Sequence, residues 1–206
     1  NTQSTIIQYS NGSEIGRIGA QNRTIVPLAK MPWNLRHAVL AAENRNFYNE
    51  HAFSVSGFAR AVVENIRTLG RGGGGSTITQ QYAKTAFLTQ ERTITRKIKE
   101  LVIAIKLENQ LSKDQILENY LNTIYFGRGA YGVETAAQQY FNRSASQLNL
   151  AQSAVIASVL RSPGYYDPQY GKNNLKRLQS RFAYVISGME KAGWIDKKTA
   201  AKVKFP

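Results

Sequence analysis

The sequence predicts a mostly α domain with one small β-hairpin near its N-terminus. Apolar residues recur at helical spacing from Pro32 almost to the C-terminus, the only strong two-residue hairpin signal is Asn11-Gly12, and no fixed-period repeat runs through the chain. With 206 residues, 42% of them hydrophobic, there is material for one sizeable core or two small lobes.

Thr5 to Ile18 reads as two β-prone runs around Asn11-Gly12, a pair that suits a turn with φ > 0 at both positions. Residues 1–30 are therefore assigned to a hairpin and linker, and 31–206 to the main domain. From Pro32 the pattern turns helical, with Leu35, Ala38, Val39 and Ala42 on one stripe and Glu43 at its edge. Ser56 to Leu69 is a second amphipathic stretch, with Phe58, Ala61, Val62 and Ile66 on one side. Residues 70–75 hold five glycines in six positions, which no helix or strand interior tolerates. A mobile region over about 50–75 is predicted, its loop dividing the domain into two lobes. Ser76 and Thr77 supply hydroxyls for the N-terminus of the next helix, which continues through Gln80, Gln81 and Lys84.

Thr95 to Leu111 carries apolar residues around most of its circumference, which predicts a buried helix and makes Glu100 a buried or cleft carboxylate. Ser112 with Gln115 forms a capping-box pattern opening a helix that ends at Gly127-Arg128-Gly129. Ala130 to Tyr140, Leu150 to Leu160 and Asn173 to Ala192 read as three further helices, followed by Trp194 and a short basic tail. The turn-rich segment 162–168 separates the last two.

Composition narrows the chemistry. Twenty-seven Lys and Arg against 13 Asp and Glu give a net charge of +14, so the surface attracts an anionic partner: nucleic acid, acidic lipid or a phosphorylated substrate. The absence of cysteine excludes disulfide scaffolds, thiolate metal sites and Cys nucleophiles. Only His37 and His51 are available, and neither has a second His or Cys at metal spacing, so His51 reads as structural. No window has the roughly 18–20 uninterrupted apolar residues of a membrane span.

Glu43 and Glu100 are the candidate pair. Each lies on a helix beside apolar positions, where desolvation moves a carboxyl toward the range a general base needs, and sugar chemistry commonly sets two carboxylates about one reacting bond. The alternative for each is a structural ion pair with a nearby Arg or Lys. Lys84, Arg92, Arg96, Lys97 and Lys99 lie close in sequence to Glu100; facing the same cleft they would hold a pyrophosphate leaving group, and otherwise they are a solvated helix face. A nucleotide P-loop is excluded, because Ser76 follows Gly75 directly without the required Gly-Lys.

Taken together, the motifs resemble the peptidoglycan glycosyltransferase domain, glycosyltransferase family 51, of class A penicillin-binding proteins and monofunctional transglycosylases. Residues 41–48 (AAENRNFY) resemble its first motif, 74–81 (GGSTITQQ) its second, 96–100 (RKIKE) its third, 113–122 (KDQILENYLN) its fourth and 162–168 its fifth. The resemblance implies a lysozyme-like two-lobed helical fold in which residues 31–206 are the glycosyltransferase domain. It implies polymerisation of lipid II into β-1,4-linked glycan with loss of undecaprenyl pyrophosphate. Glu43 then matches the general base, and Glu100 the second carboxylate, acting at the pyrophosphate directly or through a divalent cation (Mg or Mn), with no organic cofactor. Arg60, Lys84 and Arg92 match basic residues of the donor site. Ser76, Thr77, Gln80 and Gln81 match the cleft-lining second motif, and Arg96 and Lys97 belong to the substrate-binding third. Glu118 and Asn122 match scaffold.

The family pattern departs at Glu43-Asn44, where Glu-Asp is usual, and at Glu50 and Ala52, where His and Gly are usual, with His51 one position out of register. An Asn keeps a hydrogen bond and drops a like charge, which tends to lower the pKa of Glu43. The implied partners are lipid II, the growing strand, an anionic membrane surface and a C-terminal transpeptidase domain. The implied location is the outer face of the bacterial cytoplasmic membrane, with a transmembrane anchor upstream of Asn1. Basic charge suits that surface, at about 1 kcal/mol per nearby Lys or Arg. The stretch Ser56 to Leu69 is read either as dipping into the bilayer or as ordinary core. Two other classes remain: a lysozyme-like lytic glycosidase, which needs no phosphate-binding cations, and a non-catalytic basic module for membrane or nucleic acid. The scattered basic residues and the lack of a helix-turn-helix, zinc or RNA-binding signature argue against nucleic acid.

Overall fold

The computed structural model describes residues 5–8, 14–18, 24–49, 76–88 and 93–206. Two N-terminal strands, β1 (Thr5–Gln8) and β2 (Glu14–Ile18), pair antiparallel with Thr5 opposite Ile18. The remainder is helical apart from one two-stranded ribbon, so the mostly α class with a small N-terminal hairpin holds. The Asn11-Gly12 turn, the stretch Ser56 to Leu69, the glycine-rich loop and the division into lobes that it predicts lie outside the described residues.

Helix α1 (Trp33–Glu43) starts immediately after Pro32, whose fixed φ suits a helix entry, and buries Leu35 and every residue from Ala38 to Ala42. It packs against α6 (Leu150–Leu160) and α8 (Asn174–Lys191), which also pack against each other. Helix α6 is buried at every position from Ser153 to Leu160, the pattern of a helix enclosed on all sides, and it is the axis of the main core. Asn149 and Gln152 close its N-terminus with a reciprocal capping box.

Helices α2 (Ile78–Phe87), α3 (Ile94–Gln110) and α4 (Lys113–Thr123) form the other wall. Thr77, Thr93 and Ser112 cap them, the last in the capping box with Gln115 that the sequence predicts. α2 packs on both α3 and α4, and Ala83, Ala104 and Leu107 make a small second core. The linker docks on α4: Asn122 accepts from Val26 N and donates to its carbonyl, both at 2.9 Å, while Glu118 accepts from Leu28 N at 2.7 Å. Glu118 and Asn122 thus tie the chain entry to the core.

Three expectations are corrected. Helix α3 is not enclosed: it buries Glu100, Leu101, Ala104 and Leu107, while Ile94, Ile98 and Val102 are exposed along one face, its packing among the described elements being mainly toward α2 and α4. Ala130 does not begin a helix. Ala130–Tyr131 is strand β4, paired with β3 (Tyr125–Gly127), and α5 (Val133–Phe141) starts after Gly132, whose φ of 82° and close approach to the Asn122 carbonyl leave no room for a side chain. The basic tail contains a further helix, α9 (Lys197–Lys202), capped by Asp196. Between α6 and α8 the turn-rich segment forms the single-turn helix α7 (Pro163–Tyr166), consistent with Pro at its first turn.

Candidate active site

Glu43 is the last residue of α1, where free carbonyl groups disfavour a negative charge. Its side chain is only 9% exposed. Gln81 Nε2 on α2 donates to Oε2 at 2.9 Å, and Gln81 Oε1 accepts in turn from the fully buried Tyr120 hydroxyl on α4, also at 2.9 Å. The other oxygen, Oε1, has no hydrogen-bond partner; Arg181 Nη2 on α8 stands 3.5 Å from it and donates instead to the Ala42 carbonyl at 2.7 Å. Burial pushes the Glu43 carboxyl above its ordinary range, against the opposing pull of Gln81, Arg181 and Arg161. A desolvated carboxylate with one oxygen fixed by Gln81, and the other free of hydrogen bonds but paired electrostatically with Arg181, is arranged to accept a proton.

Glu100, one of the few buried charged residues, is held by two cations from its own helix: Arg96 Nη1 at 2.7 Å, and Lys97 Nζ. These are the i,i+4 and i,i+3 positions that helix geometry places beside it. Lys97 Nζ also donates to Ser76 Oγ at 3.1 Å, and Gln81 Nε2 contacts the Ser76 carbonyl at 3.4 Å. The second motif therefore joins the two carboxylates: Gln81 reaches Glu43, and Ser76 reaches the lysine of Glu100.

Thr77 caps α2, its hydroxyl accepting from Gln80 N, and Gln80 is buried with its Oε1 unpaired. Lys84 is half-buried in the last turn of α2, three residues beyond Gln81 and so on the same side of the helix. Arg60 and Arg92 lie outside the described residues, as do Glu50, His51 and Ala52.

The divalent cation expected at Glu100 would need carboxylate oxygens free to ligate it. Both Glu100 oxygens already carry cationic partners, and among the described residues no three His, Cys, Asp or Glu converge. Among the described residues Glu100 has no carboxylate oxygen free to ligate a divalent ion, which would stand there against two positive charges.

Arg181 is the residue that the sequence pattern did not single out. It lies in register with Leu178, Phe182 and Val185 on the buried face of α8, and a lone arginine on an apolar stripe was the available signal. Tyr120, within the fourth motif, is fully buried, and its hydroxyl orients Gln81. The fifth motif is anchored from the β3–β4 turn: Arg128 Nε and Nη2 grip the fully buried Asp167 with two bonds of 2.7 Å, and Tyr140 adds a third at 3.1 Å. Asn174 Nδ2 on α8 donates to the Gly164 and Asp167 carbonyls, fixing the same segment to the helix that carries Arg181.

The family model described as Transglycosylase matches residues 11–190. The chain is 42% identical over 193 residues to penicillin-binding protein 2a of Streptococcus pneumoniae, covering 94% of this chain. It is also 42% identical over 215 residues to penicillin-binding protein 1A of Mycobacterium tuberculosis, covering 100% of it. The crystal structure of penicillin-binding protein 1A from Haemophilus influenzae superposes with a TM-score of 0.53 at 27% identity, covering 98% of this chain and 21% of that one. The chain spans about 25% of the length of these two curated relatives.

Proposed function

The chain belongs to the transglycosylase family, and on that premise we propose that it is a peptidoglycan glycosyltransferase that polymerises lipid II. The observation that carries the reading is Glu43: buried, its pKa raised, one oxygen fixed by Gln81 and the other without a hydrogen-bond partner. In the proposed reaction Glu43 takes the proton from the acceptor's 4-hydroxyl as that oxygen attacks C1 of the donor sugar. The C1–O bond to undecaprenyl pyrophosphate breaks in the same displacement, inverting an α-linked donor to a β-1,4 linkage with no covalent enzyme intermediate.

Charge developing on the departing pyrophosphate needs fixed cations. Lys97 and Arg96 are held in place by Glu100, and Lys84 extends from the same helix as Gln81. Glu100 in this account positions cations, with Arg92 and Arg60 expected to join them. A Mg or Mn ion, if used, would arrive on the substrate's phosphates, and no step is routed through it. Two cations gathered at Glu100 offer a place for an anionic leaving group, which transfer from a pyrophosphate donor needs and lysis does not; this supports transfer over the lytic alternative. We place this activity at the outer face of a bacterial cytoplasmic membrane, with a transpeptidase domain as the partner elsewhere in the longer protein. Among the described residues no helix is long and apolar enough to cross a membrane.

The test is polymerisation of fluorescent lipid II in detergent by the parent chain, Glu43→Gln and Glu100→Gln. Glycan ladders from the parent, reduced about 10²–10⁴-fold in Glu43→Gln as expected on losing a general base, support the reading. A Glu43→Gln variant that polymerises at the parent rate overturns it.

A further inference from the structure

Thr79 stands in the second motif between the cap residue Thr77 and Gln81; it is the second residue of α2 and is fully buried. In a helix interior a threonine hydroxyl bonds back to the carbonyl one turn earlier, but the first turn has no earlier turn, and a buried hydroxyl there needs a partner from elsewhere. Thr79 Oγ1 finds it on the neighbouring helix, donating to Glu108 Oε1 of α3 at 2.7 Å. The acceptor is a carboxylate, which makes the bond charge-assisted, and it faces the N-terminal turn of α2, where a helix favours negative charge.

Glu108 joins a third helix to this pair. Its side chain is 9% exposed, and the same Oε1 lies 3.2 Å from Nζ of Lys113, the first residue of α4. The Lys113 ammonium is 4.9 Å from the Phe47 ring centroid, and Asp114 accepts from the Tyr48 hydroxyl at 2.7 Å, so the start of α4 holds the turn that follows Glu43. One carboxylate between a hydroxyl of α2 and an ammonium of α4 fixes three helices at a point.

Helix α3 therefore grips the entry of α2 twice: Lys97 Nζ donates to Ser76 Oγ at 3.1 Å, and Glu108 takes the Thr79 hydroxyl. The gripping residues are about three turns apart on α3, so α2 can neither slide along α3 nor turn about its own axis without breaking one of these bonds. That first turn carries the joint between the two carboxylates, with Ser76 facing the lysine of Glu100 and Gln81 holding Glu43 Oε2 at 2.9 Å. A slip of one residue rotates a helix by about 100°, which takes Gln81 off the base.

We propose that Glu108 is a positioning residue for the transfer: through Thr79 it sets the register of α2 against α3, and so fixes Glu43 relative to the cations gathered at Glu100. The proposal rests on the transferase reading above and adds the brace that keeps the two halves of that site in register.

The test uses the full chain with Thr79→Val, which removes the hydroxyl and keeps the shape, Thr79→Ser, which keeps the hydroxyl, and Lys113→Met, which leaves the Thr79–Glu108 bond in place. The readouts are kcat and KM for lipid II polymerisation and the titration of the Glu43 carboxyl, followed by its ¹³C resonance. Thr79→Val is expected to lower kcat about 10–10²-fold with KM nearly unchanged, the effect of a small misplacement of reacting groups. The Gln81 bond holds the Glu43 pKa down against burial, so loosening it moves the titration to higher pH, while Arg181 and Arg161, the charges that also act on Glu43, are untouched. Thr79→Ser is expected to keep both readouts near the parent's, and Lys113→Met to lower Tm without moving either. A Thr79→Val chain with the parent's kcat and titration, whatever its Tm, overturns the proposal and leaves the transferase intact; so does a loss that Thr79→Ser shares in full. If the parent makes no glycan, but the Glu43 titration shifts in Thr79→Val and not in Thr79→Ser, the transferase reading fails and the positioning role stands.

Discussion

Replacing Gln81 by Leu probes the joint between the two halves of the site. Gln81 donates to the buried Glu43 carboxylate, accepts from the buried Tyr120 hydroxyl and contacts the Ser76 carbonyl. A hydrogen bond to a charged acceptor is worth about 1.5–3 kcal/mol. Losing the second bond costs about 1–3 kcal/mol more, since leucine leaves the Tyr120 hydroxyl unsatisfied in the core. The sum, about 2.5–6 kcal/mol, is a large part of a typical domain's stability and corresponds to roughly 5–24 °C in Tm for a chain of this size. Because the Gln81 bond holds the Glu43 pKa down against burial, its loss raises that pKa further. The acidic limb of the kcat/KM profile for lipid II polymerisation therefore moves to higher pH. The assays are differential scanning calorimetry and a pH series of initial polymerisation rates. A Gln81→Leu chain that melts with the parent and keeps its pH profile would refute the reasoning, because neither bond would then be coupled to the base.

Glu100→Gln leaves Arg96 and Lys97 without their counter-charge and should cost about 3 kcal/mol, measured by urea unfolding, the lower end for breaking a buried pair because both cations reach some solvent. Arg128→Ala leaves Asp167 buried and unpaired, and a loss of about 3–5 kcal/mol is expected with faster hydrogen exchange over 162–170. Burial of Asp167 is outweighed by Arg128 and the Gln169 N–H, which hold its carboxyl below the ordinary 3.8; that stability is present above this pH and is lost as pH falls below it, so the acid-unfolding midpoint should rise in Arg128→Ala. Burial and then Arg36 lower the His37 pKa from 6.5, so the parent should lose stability as pH falls below about 6.5, and His37→Phe should flatten that slope in thermal melts recorded from pH 7.5 to 5.

Much of this was legible in the sequence where local rules decide. The capping box of Ser112 and Gln115 and the entry at Pro32 both follow from neighbours within one or two helical turns. Misreadings arose where packing partners decide instead. Ile98 and Val102 belong to the apolar surface of α3 but face outward, since the pattern cannot say which apolar side of α3 meets α2. Arg181 lies 138 positions after Glu43 in the chain, and no local rule links the two. Likewise GGSTITQQ marks a site and offers Ser76 and Thr77 as caps, but only the structure chooses Thr77 and brings Gln81 to Glu43.

The substitution of Asn44 for the usual acid bears on how Glu43 is tuned. A second carboxylate beside the base would raise its pKa by like-charge repulsion, and with Asn44 that source is gone. Burial supplies the rise instead, standing first among the influences on Glu43, and every resolved charge acting on it is positive. Such a balance is sensitive in one direction: removing Gln81 or Arg181 moves the base up, whereas any further cation close to it moves it down. Arg181 stands directly beside Glu43, at 3.5 Å, whereas Lys97 and Arg96 are tied to Glu100 and the neutral Gln81 lies between that cluster and Glu43.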